Sequence, residues 1–273
     1  MIPAMWSSYL HDQTPEVMVS TFAQSGWRDL ELSTEHAAVL LGRGDPKQVG
    51  QAFNALAADQ GVRFPQGHLL LLADIAGHDQ PQTLDTLRRW LDLFLAVGIR
   101  AGVLHPGGGT LTKQGMPVEQ VDELRTSALQ TLSDHIKCSD FTICLENGGG
   151  ARTRAHTLVD IIKRASRPNL GICLDTGHLN LGGGDQAEFI RAAGPLLRAL
   201  HIADNEGQTD QHLMPFGRGT VAWDTVTREL NALNYRGLFN FEIPGESRCP
   251  LPVRLAKLEY LKSIVPILLG TGT

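Results

Sequence analysis

Residues 170–175 read LGICLD, a short apolar run that ends on Asp175 and is followed by the turn-forming residues Thr176 and Gly177. Three further runs have the same form, and each carries a metal-capable side chain at or near its end. They are ICLE ending at Glu146, ALHI containing His201, and FNFE ending at Glu242. Apolar runs of this length predict strands that are buried on both faces. Because parallel strands bring their carboxyl ends to one face, the four runs predict one shared site.

Strand-like and helix-like segments alternate along the chain. The strand candidates are IPAMW, RDLELS, VRFPQGH, IRAGVLH, FTICLE, LGICLD, LRALHIAD and LFNFE. Helix-compatible apolar spacing covers residues 15–24, 46–60, 83–97, 117–136, 153–165, 186–193, 223–233 and 252–268. Thr14 and Asp45 each precede a proline, which is typical of a helix start. About eight strand–helix units favour an α/β fold, a closed (β/α)8 TIM barrel, over an open sheet with fewer strands.

The composition fits a single domain over residues 1–273. Of the 273 residues, 42% are hydrophobic and 19% are charged, which is enough to bury a large core. The apolar stretch HLLLLADI from His68 is too short to span a bilayer, and the sequence MIPAMWSSYL lacks the basic start of a secretory signal. We therefore expect no membrane association and a cytoplasmic location. The formal net charge of −5 argues against a nucleic-acid partner.

The four strand-end residues form a mixed set of three carboxylates and one imidazole. Oxygen-rich sets of this kind suit manganese, magnesium, cobalt or zinc. Glutamates on two separate strands can flank a substrate at such a metal, where a polarised carbonyl makes a carbon-bound proton removable. Proton transfer by a carboxylate predicts an isomerase or epimerase. The alternative for each acid alone is a helix cap or an ion pair, but four such residues together favour a site.

Two polar segments lie next to this set in the sequence. His178 follows Asp175 by three residues in ICLDTGHLNLGGG, so that one turn would bring both side chains to one ligand. Asp210 and His212 lie in the loop that follows His201. These residues are candidates for a second metal or for substrate binding, although a polar loop rich in glycine is ordinarily solvated.

Five motifs, in order along the chain, resemble those of one known superfamily. They are LHPGG, CLENGGG, CLDTGHLNLGG, LHIADNEGQTDQHLMPFGRGTVAWD and FEIPG. Over residues 2–268 the chain resembles the xylose isomerase-like barrel superfamily, which contains sugar isomerases and epimerases as well as apurinic-site endonucleases. The resemblance implies that Glu146, Asp175, His201 and Glu242 bind a single metal, with manganese as the expected ion. It also implies that Glu146 and Glu242 are the acid–base pair on opposite faces of a sugar carbon.

The same resemblance implies a rival function, because the endonuclease branch binds three zinc ions to cleave a phosphodiester in abasic DNA. This chain has a candidate ligand at every matching position: His68, His105, Glu146, Asp175, His178, His201, Asp210, His212 and Glu242. A DNA-binding branch should also have a basic rim. The long loops carry only Lys113, Arg152 and Arg154 as cations. We therefore favour a keto-sugar or related polyol as substrate; a metal-dependent lyase or hydratase on an oxidised sugar is a third alternative.

Three residues outside the metal candidates are assigned to substrate binding. Trp6 would supply an apolar wall for a sugar face, and Glu31 would contact substrate or a neighbouring histidine. Keto-sugar epimerases have an arginine shortly after the histidine ligand, where this chain has Glu206, and Arg218 is the candidate replacement.

Two alternatives to a monomeric enzyme remain. A homo-oligomer is one, since the apolar segment LEYLKSIVPILL from Leu258 would cover either a neighbour or the barrel base. A barrel that binds metal without catalysing a reaction is another.

Overall fold

A computed structural model describes residues 1–148 and 154–270. Its strands are β1 (Ile2–Trp6), β2 (Asp29–Leu32), β3 (Arg63–His68), β4 (Ala101–Leu104), β5 (Thr142–Glu146), β6 (Leu170–Asp175), β7 (Leu197–His201) and β8 (Leu238–Phe241). They form one parallel sheet in the order β7-β6-β5-β4-β3-β2-β1-β8. Ile202 joins the two edges, because it donates to the Asn240 carbonyl (2.8 Å) and accepts from the Glu242 N–H (3.1 Å). The predicted (β/α)8 TIM barrel is thereby confirmed.

Helices connect the strands. They are α1 (Pro15–Gln24), α2 (Thr34–Leu41), α3 (Pro46–Asp59), α4 (Gln80–Val97), α5 (Gly109–Lys113), α6 (Val118–His135), α7 (Ala155–Ala165), α8 (Thr176–Leu181), α9 (Gln186–Ala193), α10 (Trp223–Ala232) and α11 (Leu251–Leu268). The predicted caps Thr14 and Asp45 are confirmed, since each side chain accepts from a backbone N–H in the following first turn. The sequence did not predict α2, α5 and α8, which are too short for their apolar spacing to be distinctive. Thr153, the predicted start of α7, and Arg152 lie outside the described residues.

Two clusters of the buried core differ in the size of their side chains. Large side chains, among them Phe22, Phe94 and Phe241, are fully buried in the main cluster. A separate cluster of small side chains contains Val103, Cys144, Cys173 and Ala199, all from β4 to β7. These strands continue to the carboxyl ends that hold the site, so the small cluster underlies it.

The carboxyl-terminal apolar segment belongs to the core of its own chain. Leu258, Leu261, Ile264 and Leu268 of α11 are buried in the main cluster. Two roles were predicted for this segment. The structure supports the one in which the segment covers the barrel of its own chain. Within the ranges described, no helix has the length and apolar content that crossing a bilayer requires.

Candidate functional site

Four buried side chains meet at the carboxyl ends of the last four strands. Glu146, Asp175 and His201 are the final residues of β5, β6 and β7, and Glu242 directly follows β8. One ligand atom of each residue lies within 4.8 Å of those of the other three. None of the four is more than 5% exposed. We call these four residues the quartet.

The quartet fits a cation. Glu146 Oε2, Asp175 Oδ2 and Glu242 Oε2 are buried and accept no hydrogen bond from any residue that the structure describes. His201 Nδ1 faces the same group, 3.0 Å from Glu146 Oε1 and 3.2 Å from Glu242 Oε2. Three carboxylates buried this close together are costly unless a cation neutralises them. The quartet is therefore a candidate site for a divalent metal ion.

Two side chains that the sequence analysis missed fix the strand ends around the quartet. Asn147 Nδ2 donates to the Asp175 carbonyl (2.9 Å), and Asn147 Oδ1 accepts from the Asp175 N–H (2.7 Å). Thr176 Oγ1 donates to the Ala203 carbonyl (2.7 Å) and accepts from the Ala203 N–H (3.1 Å). Each residue directly follows a quartet member in sequence. That adjacency was the available signal, because a short polar side chain at a strand end can reach the backbone at the end of the neighbouring strand.

Two further histidines flank Glu146. His68 Nε2 lies 3.4 Å and His105 Nε2 lies 3.1 Å from Glu146 Oε2. Their rings meet edge to face, with centroids 5.1 Å apart. His68 is buried, whereas the His105 side chain is 34% exposed. His68, Glu146 and His201 thus form a second group of metal-capable atoms that shares two members with the quartet.

A third group lies at the mouth of the site. Asp210 stands between two imidazoles, with Oδ2 3.2 Å from His178 Nε2 and Oδ1 3.2 Å from His212 Nε2. The His212 ring stacks on Trp6 at a centroid distance of 6.5 Å. The backbone φ of His212 is 46°, in the left-handed region, which is strained for a residue with a side chain. All three side chains are partly exposed.

The loop between β7 and α10, which carries Asp210 and His212, is anchored by Asp204. The Asp204 carboxylate accepts from Trp223 Nε1 (2.9 Å) and from the Val221 N–H (3.0 Å). Gly219 packs against it, and a Cβ at this position would lie 2.1 Å from the carboxylate. Only glycine permits this approach. The motif GRGTVAW therefore encodes the anchor of the loop.

The two glutamates of the quartet have opposite protonation preferences in the metal-free protein. Burial raises the pKa of the Glu242 carboxyl well above its usual range, and the neighbouring Asp175 and Glu146 raise it further. Burial also opposes ionisation of Glu146, but His201 and His105 outweigh it and hold its pKa well below the usual range. One carboxyl is thus disposed to carry a proton and the other to accept one.

The residues predicted to bind substrate occupy different surroundings. Trp6 lies on the site face against His212. Glu31 is fully buried with Oε2 2.9 Å from His201 Nε2, so the structure places it on a histidine and away from an accessible surface. The Arg218 guanidinium lies 3.4 Å from Glu206 and is 68% exposed. Within the described residues it makes no ion pair or hydrogen bond to the quartet, and its role in substrate binding stays a prediction.

We expect the metal-free protein to lose stability as the pH rises through the pKa of His212. Burial alone would lower this pKa, but the hydrogen bond with Asp210 and the nearby Glu242 and Asp175 raise it from 6.5 to about 10. A raised folded-state pKa means that the charged imidazole stabilises the fold fully below pH 6.5, and that this contribution is lost toward pH 10. The free energy of unfolding, measured in urea on chelator-treated protein, should fall more steeply with pH for the wild type than for the Asp210→Asn variant. Parallel pH profiles for the two proteins would contradict this assignment.

The chain is similar in sequence to a known family and to several characterised and uncharacterised proteins. The sequence matches the family described as Xylose isomerase-like TIM barrel over residues 21–264. An uncharacterised protein of Sinorhizobium fredii is 39% identical over 84 residues, which are 31% of this chain and 27% of that protein. A ketose 3-epimerase of Arthrobacter globiformis is 35% identical over 81 residues, 30% of this chain and 26% of the epimerase. This chain therefore matches only about a quarter of the length of either relative.

Two other similarities extend over most of the chain. A probable endonuclease 4 of Mycoplasma pneumoniae is 21% identical over 263 residues, covering 83% of this chain and 86% of the endonuclease. The crystal structure of a D-psicose 3-epimerase in the presence of D-fructose superposes with a TM-score of 0.80 at 15% identity, covering 99% and 100% of the two chains. At that identity the superposition shows a common fold.

Proposed function

Because the chain belongs to the xylose isomerase-like TIM barrel family, we propose that it is a sugar isomerase or epimerase acting on a keto-sugar or related polyol. The observation that carries the proposal is the pair Glu146 and Glu242, two buried carboxyls at the ends of β5 and β8 that belong to one metal-capable group. Similarity to sugar 3-epimerases, both in sequence and in fold, supports the same reaction class.

In this proposal the two glutamates transfer the proton. Glu146 as a carboxylate accepts a proton from the substrate carbon beside the carbonyl, and Glu242 in its protonated form delivers one to the opposite face. Proton exchange with solvent then restores both groups. A divalent cation bound by the quartet would polarise the carbonyl and neutralise the charge that develops as the proton leaves. Asn147 and Thr176 keep the strand ends fixed, so the carboxyls do not have to reorganise during transfer.

We propose manganese as the resident ion, with magnesium, cobalt and zinc as alternatives. Three carboxylates and one imidazole are a harder ligand set than the thiolate sites that select zinc or copper. The two cysteines nearest the quartet, Cys144 and Cys173, are buried in the small cluster below it, and burial raises the pKa of both thiols. Neutral thiols are poor metal ligands. A cytoplasmic location and a homo-oligomer remain predictions.

A second candidate function has its own supporting observation. The His68–Glu146–His201 and His178–Asp210–His212 groups add to the quartet, so eight side chains present three overlapping or adjacent sets of metal-capable atoms. Several adjacent zinc ions would suit a phosphodiesterase acting on abasic DNA. The charge distribution weighs against it: the exposed rim cation Arg218 is paired with Glu206, and the chain has a formal net charge of −5.

Metal content and substrate turnover together test the proposal. The untagged protein, purified without added metal, would be analysed by elemental analysis and then incubated with a panel of keto-sugars in deuterated water. We expect about one manganese, cobalt or magnesium ion per chain and deuterium incorporation beside the carbonyl of at least one sugar. Two or three zinc ions per chain, with cleavage of an abasic duplex and no deuterium incorporation, would replace the proposal with the second candidate.

A further inference from the structure

A buried polar layer lies directly beneath the quartet. Its centre is Glu31 of β2, whose side chain is 0% exposed. A single oxygen, Glu31 Oε2, accepts three hydrogen bonds: from His201 Nε2 (2.9 Å), from Asn240 Nδ2 (3.2 Å) and from Gln66 Nε2. The donors come from β7, β8 and β3, so this one carboxylate connects strands on opposite sides of the barrel.

The ring of His201 is thereby held between two carboxylate layers. Nε2 faces Glu31, and Nδ1 faces the oxygens of Glu146 and Glu242. A ring whose Nε2 carries the proton leaves the Nδ1 lone pair available for a cation. We propose that Glu31 is the positioning residue of the metal site, which fixes the rotation of His201 and keeps its proton on Nε2. This inference rests on the metal use proposed for the quartet.

Gln66 and Asn240 hold Glu31 in turn. Besides its bond to Glu31, Gln66 Nε2 lies 3.3 Å from the carbonyl of Leu200, the residue that precedes His201. Both amides are buried, at 1% and 0% exposure. Together they fix the Glu31 carboxylate relative to the backbone of β7, so that the acceptor and the ring it orients cannot move independently. The three residues act as one clamp.

Other roles for Glu31 do not fit its surroundings. Its full burial beneath His201 leaves no surface for a substrate. Among the described residues, no lysine or arginine lies within ion-pair distance of Glu31. His201 is the one basic side chain within that distance. A purely structural carboxylate would be expected to pair with arginine, as Asp29 does on the same strand with Arg63.

Metal binding by the apoprotein tests the inference without relying on catalysis. Chelator-treated wild type and the Glu31→Leu and Glu31→Gln variants would be titrated with Mn²⁺ by calorimetry. Co²⁺ absorption spectra would report the ligand geometry. We expect Glu31→Leu to bind Mn²⁺ about 10- to 100-fold more weakly and to change the Co²⁺ spectrum. Glu31→Gln should recover most of the affinity, because its amide oxygen can still accept from Nε2.

Asp29→Asn is the matched control. Asp29 is a buried acid two residues earlier on β2, bound to Arg63, and its replacement should lower stability without changing Mn²⁺ affinity or the Co²⁺ spectrum. If wild type binds Mn²⁺ and Glu31→Leu binds it equally well, the positioning role is overturned while the metal site stands. If wild type binds neither ion, the proposed metal use of the quartet fails and the inference fails with it. Equal losses in Glu31→Leu and Asp29→Asn would also overturn it.

Discussion

Replacing Glu242 by glutamine is expected to slow conversion of an active sugar into its product by about 10²- to 10⁴-fold, the usual contribution of a positioned acid or base. Glutamine preserves the shape of the side chain and an oxygen, but it cannot hold a transferable proton at pH 7. The effect should be large because Glu242 is the buried carboxyl to which the proposal assigns proton delivery. Nuclear magnetic resonance of an active sugar in deuterated water measures formation of the product directly.

Two comparisons separate the loss of an acid from the loss of a ligand. The metal content of Glu242→Gln must be measured in the same sample, since Glu242 is also a quartet member. Asp175→Asn removes a quartet carboxylate that the proposal gives no proton-transfer role, so its activity should fall in proportion to its metal content. Glu246→Gln is the control, because Glu246 is exposed, lies in the same loop as Glu242 and pairs with Lys257 of α11. Near-normal product formation by metal-loaded Glu242→Gln would refute the acid–base role.

The barrel could be predicted because the same strand-and-helix pattern recurs along the chain. Eight short, largely buried strands alternate with segments of helical spacing. The quartet was predictable for a related reason: Glu146, Asp175 and His201 end their strands, and parallel strands end on one face. The short helices α2, α5 and α8 carried too few turns for a periodic signal to rise above that of a loop.

The strand period predicts only part of the buried polar layer beneath the quartet. Gln66 and Asn240 each precede a site residue, His68 and Glu242, by two positions, and a strand period of two places such pairs on the same face. That Gln66 meets Glu31 could not be read from the sequence. The pairing of β2 with β3 is irregular between Asp29 and Glu31, and this shift sets Glu31 opposite Gln66.

The third group was less predictable still, because its geometry depends on a loop. Asp210 and His212 reach His178 only because Asp204 anchors the loop and His212 adopts a left-handed backbone. Neither the anchor nor the strain has a periodic signature. Sequence spacing therefore supplied the residues of the site, whereas the contacts among them followed from the register of the strands and the path of the loop.

Loading the quartet with Mn²⁺ is expected to raise the melting temperature of the chelator-treated protein by roughly 10 °C. A ligand that binds only the folded state at about 1,000 times its dissociation constant stabilises by about 4 kcal/mol. For a chain of about this size, each kcal/mol shifts the melting temperature by about 2–4 °C. The physical source is the negative charge of the three buried carboxylates Glu146, Asp175 and Glu242, which the cation would neutralise. Differential scanning calorimetry with and without Mn²⁺ measures the shift.

Two variants assign that stabilisation to one group of residues. Asp175→Asn removes a quartet oxygen and should abolish most of the Mn²⁺-dependent shift. Asp210→Asn breaks the bridge between His178 and His212 but leaves the quartet intact, so the shift should survive. The reverse pattern, a shift lost in Asp210→Asn and kept in Asp175→Asn, would move the principal metal site to the mouth of the barrel. Because that group contains two imidazoles and one carboxylate, it would also favour zinc over manganese.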